Sequence, residues 1–238
     1  MIYTFMRIPE RFSVNIALIG EQKTGKTTFT EHFIKTMVQY QDKPVLILDC
    51  GNQYEEYKAI TIAEIKNWAK NVDSIKLKNP VVRILLKKHK SRTKTLEEFA
   101  DFCNNVHSYV ANSCIIFEDL LSLVGKVVPL PFQAVLFNNR NVGNDILMNI
   151  HSLGDCPKTI FQRTQVFYNK FTLDVDIPTK AIYTEQFKAI KQLLEIENSK
   201  IVALPQNTKK IQYATVEFIA DIPMRLELEA LGIPFNDF

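Results

Sequence analysis

Gly20-Glu21-Gln22-Lys23-Thr24-Gly25-Lys26-Thr27 spaces two glycines five residues apart and follows the second with a cation and a hydroxyl. Glycine lets the backbone wrap tightly, so successive N–H groups can point at phosphate oxygens. Lys26 is expected to reach the β- and γ-phosphates of a nucleotide, and Thr27 to give its hydroxyl to Mg²⁺. Thr28 completes the cradle. The pattern does not specify a base; ATP is the expected nucleotide.

Hydrolysis needs a carboxylate for the magnesium shell, and often a second to polarise water. Ser113-Cys114-Ile115-Ile116-Phe117-Glu118-Asp119 is an apolar run that ends on two acids. Glu118, the first acid out of the run, is assigned to magnesium, and Asp119 to water activation. Asp119 is also a good residue for capping a helix. The usual order in such a motif is Asp then Glu, so which acid does which job stays open.

These residues need a scaffold that brings them to one edge. Ser13 to Gly20 reads as a buried strand that ends on glycine, and Gly25 to Tyr40 has helical spacing at Phe29, Phe33, Ile34 and Met37. Further strands are expected at Pro44 to Cys50, Val81 to Leu86, Cys114 to Phe117 and Asp145 to Ile150. A mixed helical region is expected at Tyr54 to Lys70, and helices at Leu96 to Val110 and Pro131 to Asn139. Strands alternating with helices imply a mainly parallel central sheet with helices on both faces, a three-layer α/β fold. Its carboxyl edge would hold both the glycine loop and the acids. Beyond Asp174 the pattern changes. Glu185 to Ile196 looks helical, and Ile201 to Leu204 with Ile211 to Phe218 look like a hairpin around Gln206 to Lys210. Residues 1–238 are read as one domain, with a core over about 13–175 and a small α/β appendage over about 176–238.

Composition is consistent with that reading. The 238 residues are 46% hydrophobic, enough for a large core, and the 7 Gly and 10 Pro are scattered, so no linker appears. The net charge of +3 neither demands nor excludes a nucleic-acid partner. Cys50, Cys103, Cys114 and Cys156 form no C-x-x-C pair and read as buried free thiols in a reducing compartment. Met1 to Glu10 lacks the form of a signal peptide. The most apolar window, Ile115 to Phe137, is broken by Glu118, Asp119 and Lys126, so no membrane insertion is expected. The expected location is cytoplasmic.

The chain resembles the FtsK–HerA superfamily of P-loop DNA-pumping ATPases. Within it the chain is most similar to the genome-packaging ATPases of tailless, membrane-containing viruses. It also resembles the ATPase part of zonula-occludens-toxin-like phage assembly proteins. Besides the glycine loop, three stretches carry the resemblance: Leu46 to Tyr54, Ile115 to Leu121, and Asn139-Arg140-Asn141 ahead of Asp145 to His151. The resemblance covers roughly residues 13–175 and implies a RecA/FtsK-like P-loop NTPase fold. It implies that Arg140 touches the γ-phosphate bound by a neighbouring subunit. It also implies a γ-phosphate sensor at the end of the strand that follows. His151 and Ser152 stand there in place of the family's usual Gln, and His151 is the candidate. Asp49, at another strand end, is a supporting candidate.

The densest basic run, Lys87-Lys88-His89-Lys90-Ser91-Arg92-Thr93-Lys94, reads as a loop able to grip a phosphate backbone without reading sequence. It reads equally well as an ordinary solvated surface loop. The first functional expectation is a ring-forming ATPase that translocates double-stranded DNA and loads a viral genome into a preformed capsid. Its partners would be DNA and further copies of itself, with capsid or membrane-vertex proteins. Its location would then be the host cytoplasm and the virion. The alternatives are a phage assembly or export ATPase, a P-loop small-molecule kinase, and a nucleotide switch. Export ATPases usually carry a membrane span, and kinases an arginine-rich lid; neither is evident here.

Overall fold

Every second residue of the central strands faces the same side, and this alternation divides the core in two. Ala17, Ile19, Leu46, Leu48, Ile115, Phe117, Ile146 and Met148 fill one face. Ile16, Leu18, Val45, Ile47, Cys114, Ile116 and Leu147 fill the other. Strands buried on both faces read as continuous apolar runs, which is why they were visible in the sequence.

The computed structural model describes residues 13–21, 23–71, 80–86, 89, 91–124, 127–152, 154, 156–170, 184–202 and 215–220. The strands are β1 (Asn15–Ile19), β2 (Val45–Asp49), β3 (Lys58–Ala59), β4 (Val81–Leu85), β5 (Cys114–Phe117), β6 (Asp145–Ile150), β7 (Val166–Asn169) and β8 (Val216–Ile219). The helices are α1 (Lys26–Tyr40), α2 (Ile65–Lys70), α3 (Arg92–Tyr109), α4 (Leu120–Val124), α5 (Leu130–Val142), α6 (Lys158–Arg163) and α7 (Thr184–Val202). The sheet order is β3-β4-β2-β5-β6-β1-β7-β8. Every pairing is parallel except β7 with β8.

Helix α1 covers one face through Phe29, Phe33, Ile34 and Met37. The other face takes α2 to α7. Phe99 and Phe102 of α3 and Phe132 of α5 meet Phe117 of β5 with ring centroids 4.8–6.2 Å apart. A second aromatic group joins Phe161 of α6, Phe167 of β7, Phe187 of α7 and Phe218 of β8, at 5.2–5.9 Å. This group lays the described C-terminal elements on the sheet. Among the described residues no helix is long and apolar enough to cross a membrane.

Several elements differ from the sequence expectations. The stretch Tyr54 to Lys70 is a turn, the two-residue β3, a 3₁₀ turn at Ile62–Glu64, and the short α2. A Thr61–Glu64 capping box starts the 3₁₀ turn and so sets the boundary. Helix α3 starts at Arg92, so Arg92, Thr93 and Lys94 form its first turn rather than a loop; Lys87, Lys88 and Lys90 lie outside the described residues. Strand β7 was not foreseen. Ile201 and Val202 end α7 instead of opening a hairpin, because a helix already nucleated adds a hydrogen bond for each residue it recruits. The rest of the expected turn, Gln206 to Lys210, lies outside the described residues. Strand β8 finds its antiparallel partner in β7. All four cysteines are buried free thiols.

Candidate nucleotide site

Gly20 follows the central strand β1, and its N–H donates to Ile150 O of β6 at 3.1 Å. The loop then turns through two left-handed residues, Lys23 (φ 65°) and Gly25 (φ 88°). The second turn caps α1 and needs a residue without Cβ strain. Thr24 Oγ1 donates to Glu21 O at 2.8 Å and tightens the loop. Gln22 lies outside the described residues.

The buried Lys26 amine turns back onto the loop, donating to Gly20 O and, at 2.7 Å, to Glu21 O. It also lies 3.0 Å from His151 Nδ1. An ammonium can only donate, so Nδ1 accepts and Nε2 carries the ring proton. Nε2 faces Asp119 Oδ1 at 3.3 Å. Lysine, histidine and aspartate therefore form one chain across the cavity.

Strand β6 lies between β1 and β5, so the loop and the acids are separated by two strand spacings, roughly 10 Å. Parallel register puts Phe117 beside Met148, and hence Glu118 beside Asn149. Glu118 is buried and accepts from the Tyr54 hydroxyl and the Asn149 amide. Burial raises its carboxyl above the ordinary range, opposed by these two donors. Asp119 is half-exposed and takes a left-handed turn (φ 48°) that swings it toward His151.

Asp49 acts through its neighbours. Its carboxylate accepts from the backbone N–H groups of Gly51, Gln53 and Tyr54 at 3.0–3.2 Å, and from Arg83 at 3.1 Å. That turn presents Gln53, whose Oε1 accepts from Thr27 Oγ1 at 3.1 Å. It also presents Tyr54 to Glu118.

Glu21, Lys23, Gly25, Lys26, Thr27 and Thr28 meet Glu118, Asp119 and His151 around a cavity of about 580 Å³. Arg140 is not among them. It is exposed on the last turn of α5, five residues before β6 begins, and therefore at the opposite edge of the sheet. Ser152 follows His151 and is half-buried. Sequence reasoning missed Tyr54 and Asn149 as partners of Glu118. The available signal was a lone amide inside the apolar run of β6.

The residues around the cavity match the preferences of Mg²⁺. That ion keeps several waters and takes one or two carboxylates beside phosphate oxygens. A threonine hydroxyl at the loop and a buried carboxylate across the cavity fit it. Thr27 and Glu118 are the residues that would hold it.

Burial brings the Lys26 amine down to about 8, with Glu118 and Asp119 opposing the fall. Phosphate beside it would restore its charge. Nucleotide affinity is therefore expected to fall as pH rises through 8, and binding near pH 8.5 should take up protons. Titration calorimetry in buffers of different ionisation enthalpy reads that uptake directly; zero uptake would refute the assignment. The sign for folding is opposite. Between about 8 and 10.5 the unfolded chain binds more protons at this lysine, so the nucleotide-free protein gains stability from it as pH rises.

A mainly parallel α/β sheet with a glycine loop between its central strand and first helix is the P-loop NTPase fold. Solved structures show the same fold at low identity. The genome packaging NTPase B204 from Sulfolobus turreted icosahedral virus 2, in complex with AMPPCP, aligns over 90% of this chain and 100% of its own at a TM-score of 0.59 and 14% identity. Its complex with ATP-gammaS aligns over 76% and 88%, at 0.57 and 14%. B204, the DNA-packaging ATPase from Sulfolobus turreted icosahedral virus, aligns over 75% and 87%, at 0.56 and 16%. No family model and no curated protein match the chain.

Proposed function

We propose that this chain is an ATP-hydrolysing motor that moves double-stranded DNA, working as a ring to load a viral genome into a preformed capsid. One observation carries the hydrolase reading. A lysine at a phosphate loop and two carboxylates at a strand end face each other across a cavity, with a histidine between them. Magnesium, held by Thr27 and Glu118, would neutralise phosphate charge.

The chain's own groups do the rest. Loop N–H groups and Lys26 bind the phosphates. Asp119, half-exposed and in contact with the His151 ring, is placed to orient a water molecule. Asp49 fixes the turn that sets Gln53 against Thr27. His151 touches both the lysine and Asp119, so it can report on the terminal phosphate to both.

The DNA reading rests on two supports. The fold likeness to a packaging NTPase is one. The other is a pair of exposed cations, Arg92 and Lys94, in the first turn of α3. That turn follows β4, so it lies at the same sheet edge as the cavity. Cations at a helix N-terminus oppose the helix dipole and together with it attract polyanions.

Long double-stranded DNA at low salt is expected to raise the ATP hydrolysis rate several-fold, on an assembly of ring mass. Hydrolysis assays paired with light scattering test this. A monomer whose rate ignores DNA would sink the translocase reading and favour a kinase or a partner-dependent switch.

A further inference from the structure

Strand β7 ends beside the phosphate loop, and the next residue is a second buried lysine. The Lys170 N–H donates to Ile19 O at 2.7 Å, which ties its backbone to the residue before Gly20. The residue is only 7% exposed. Its Nζ donates to the Thr215 hydroxyl at 2.9 Å and lies 6.0 Å from the Phe29 ring centroid. A Cβ built on Gly25 would sit 3.8 Å from that nitrogen, so the amine rests against the glycine that opens α1 and lines the cavity.

This is a costly place for a cation. Among the described residues no carboxylate pairs with Lys170, and its charge reaches Lys26, a like charge, whose hold on a proton it weakens. Burial lowers the affinity of Lys170 for its proton. A hydroxyl and a ring face are weak compensation for lost hydration. An anion between the two amines would relieve both costs.

The sides of the loop say which anion. Lys26, Glu118, Asp119 and His151 lie toward β6 and β5, where the terminal phosphate must sit for water to reach it. Lys170 lies on the other side of β1, toward β7. A phosphate chain with its terminal end at the acids has its nucleoside end toward β7. We propose that Lys170 is a second nucleotide-binding residue, holding the phosphate nearest the nucleoside. The proposal rests on the nucleotide reading above.

The test compares Lys170→Met and Lys170→Arg with wild type and Lys26→Ala in the full chain. It reads ADP affinity by titration calorimetry, and melting temperature without nucleotide. Lys170→Met is expected to weaken ADP about tenfold, the effect of losing one charge-assisted hydrogen bond. Its nucleotide-free melting temperature should hold or rise, because a desolvated charge has gone. Lys170→Arg, which keeps the charge, should bind ADP more tightly than Lys170→Met. Unchanged ADP affinity in Lys170→Met would overturn the proposal. So would a failure to fold, or a melting temperature that falls along with affinity, since either makes the lysine structural. If wild type binds no ADP, or Lys26→Ala binds it equally well, the nucleotide reading itself fails and this one with it.

Discussion

Lys26→Ala protein is expected to lose nucleotide binding, with affinity for ATP down by two to three orders of magnitude. Lys26 is 9% exposed, and its amine rests on loop carbonyls that offer it no countercharge. Only Glu118, Asp119 and Glu21 raise its affinity for a proton, and they do not offset its burial. A bound triphosphate would supply the missing anion. Charge-assisted hydrogen bonds to phosphate contribute about 1.5–3 kcal/mol each, and a lysine reaching two phosphates makes more than one. At 1.4 kcal/mol per decade, that is on the order of 10²–10³ in Kd. The substitution leaves Gly25 and the cap of α1 untouched, so the loop should keep its shape. Titration with ATP checks the loss, and circular dichroism checks the fold. Tight ATP binding by this variant would falsify the phosphate-loop assignment.

How much of this was legible beforehand depended on where the information lies. Strand β6 runs Asp145–Ile150, as its apolar run indicated, because a strand buried on both faces writes itself as a block. The loop at Gly20 to Thr27 was legible because its chemistry demands residue types at fixed spacing. Strand β7 was not. Val166–Asn169 is only four residues long, with no turn signal close behind it, and its conformation is set by β1 on one side and β8 on the other. Tyr54 and Asn149 were silent for a related reason. Neither has a motif; each matters because topology sets it against Glu118. Asn149 reaches that carboxylate through the β5–β6 register, and Tyr54 through a turn built on Asp49. Asp49 was suspected from its place at a strand end, and four hydrogen-bond donors now explain it. Lys170 belongs with the silent residues. A lone lysine after an unforeseen strand looks like surface until the strand is placed beside the loop.

Arg140→Ala is expected to bind ATP as wild type does and to hydrolyse it about 10³-fold more slowly, the low end for an arginine that stabilises transferring phosphate. Geometry decides how such an effect could arise. Arg140 precedes β6 and the cavity follows it, so the length of that strand, roughly 17 Å, separates the two within one chain. The middle of α5 and the end of α6 meet at the start of β1, where Asn15 Nδ2 donates to Leu136 O and Arg163 O. Phe137 is 47% exposed there, with the Arg163 guanidinium 4.0 Å from its ring centroid. Any direct action of Arg140 on phosphate must therefore cross to another subunit. A closed ring brings unlike surfaces together head to tail, so the edge opposite the cavity is available to face a neighbour's cavity. Mixing Arg140→Ala subunits, whose own sites are intact, with Lys26→Ala subunits, whose arginine is intact, separates the cases. In a random one-to-one mixture roughly a quarter of interfaces would pair a sound site with a sound arginine. Hydrolysis should return in that proportion. If the mixture stays as inactive as its parts, Arg140 does not act across the interface.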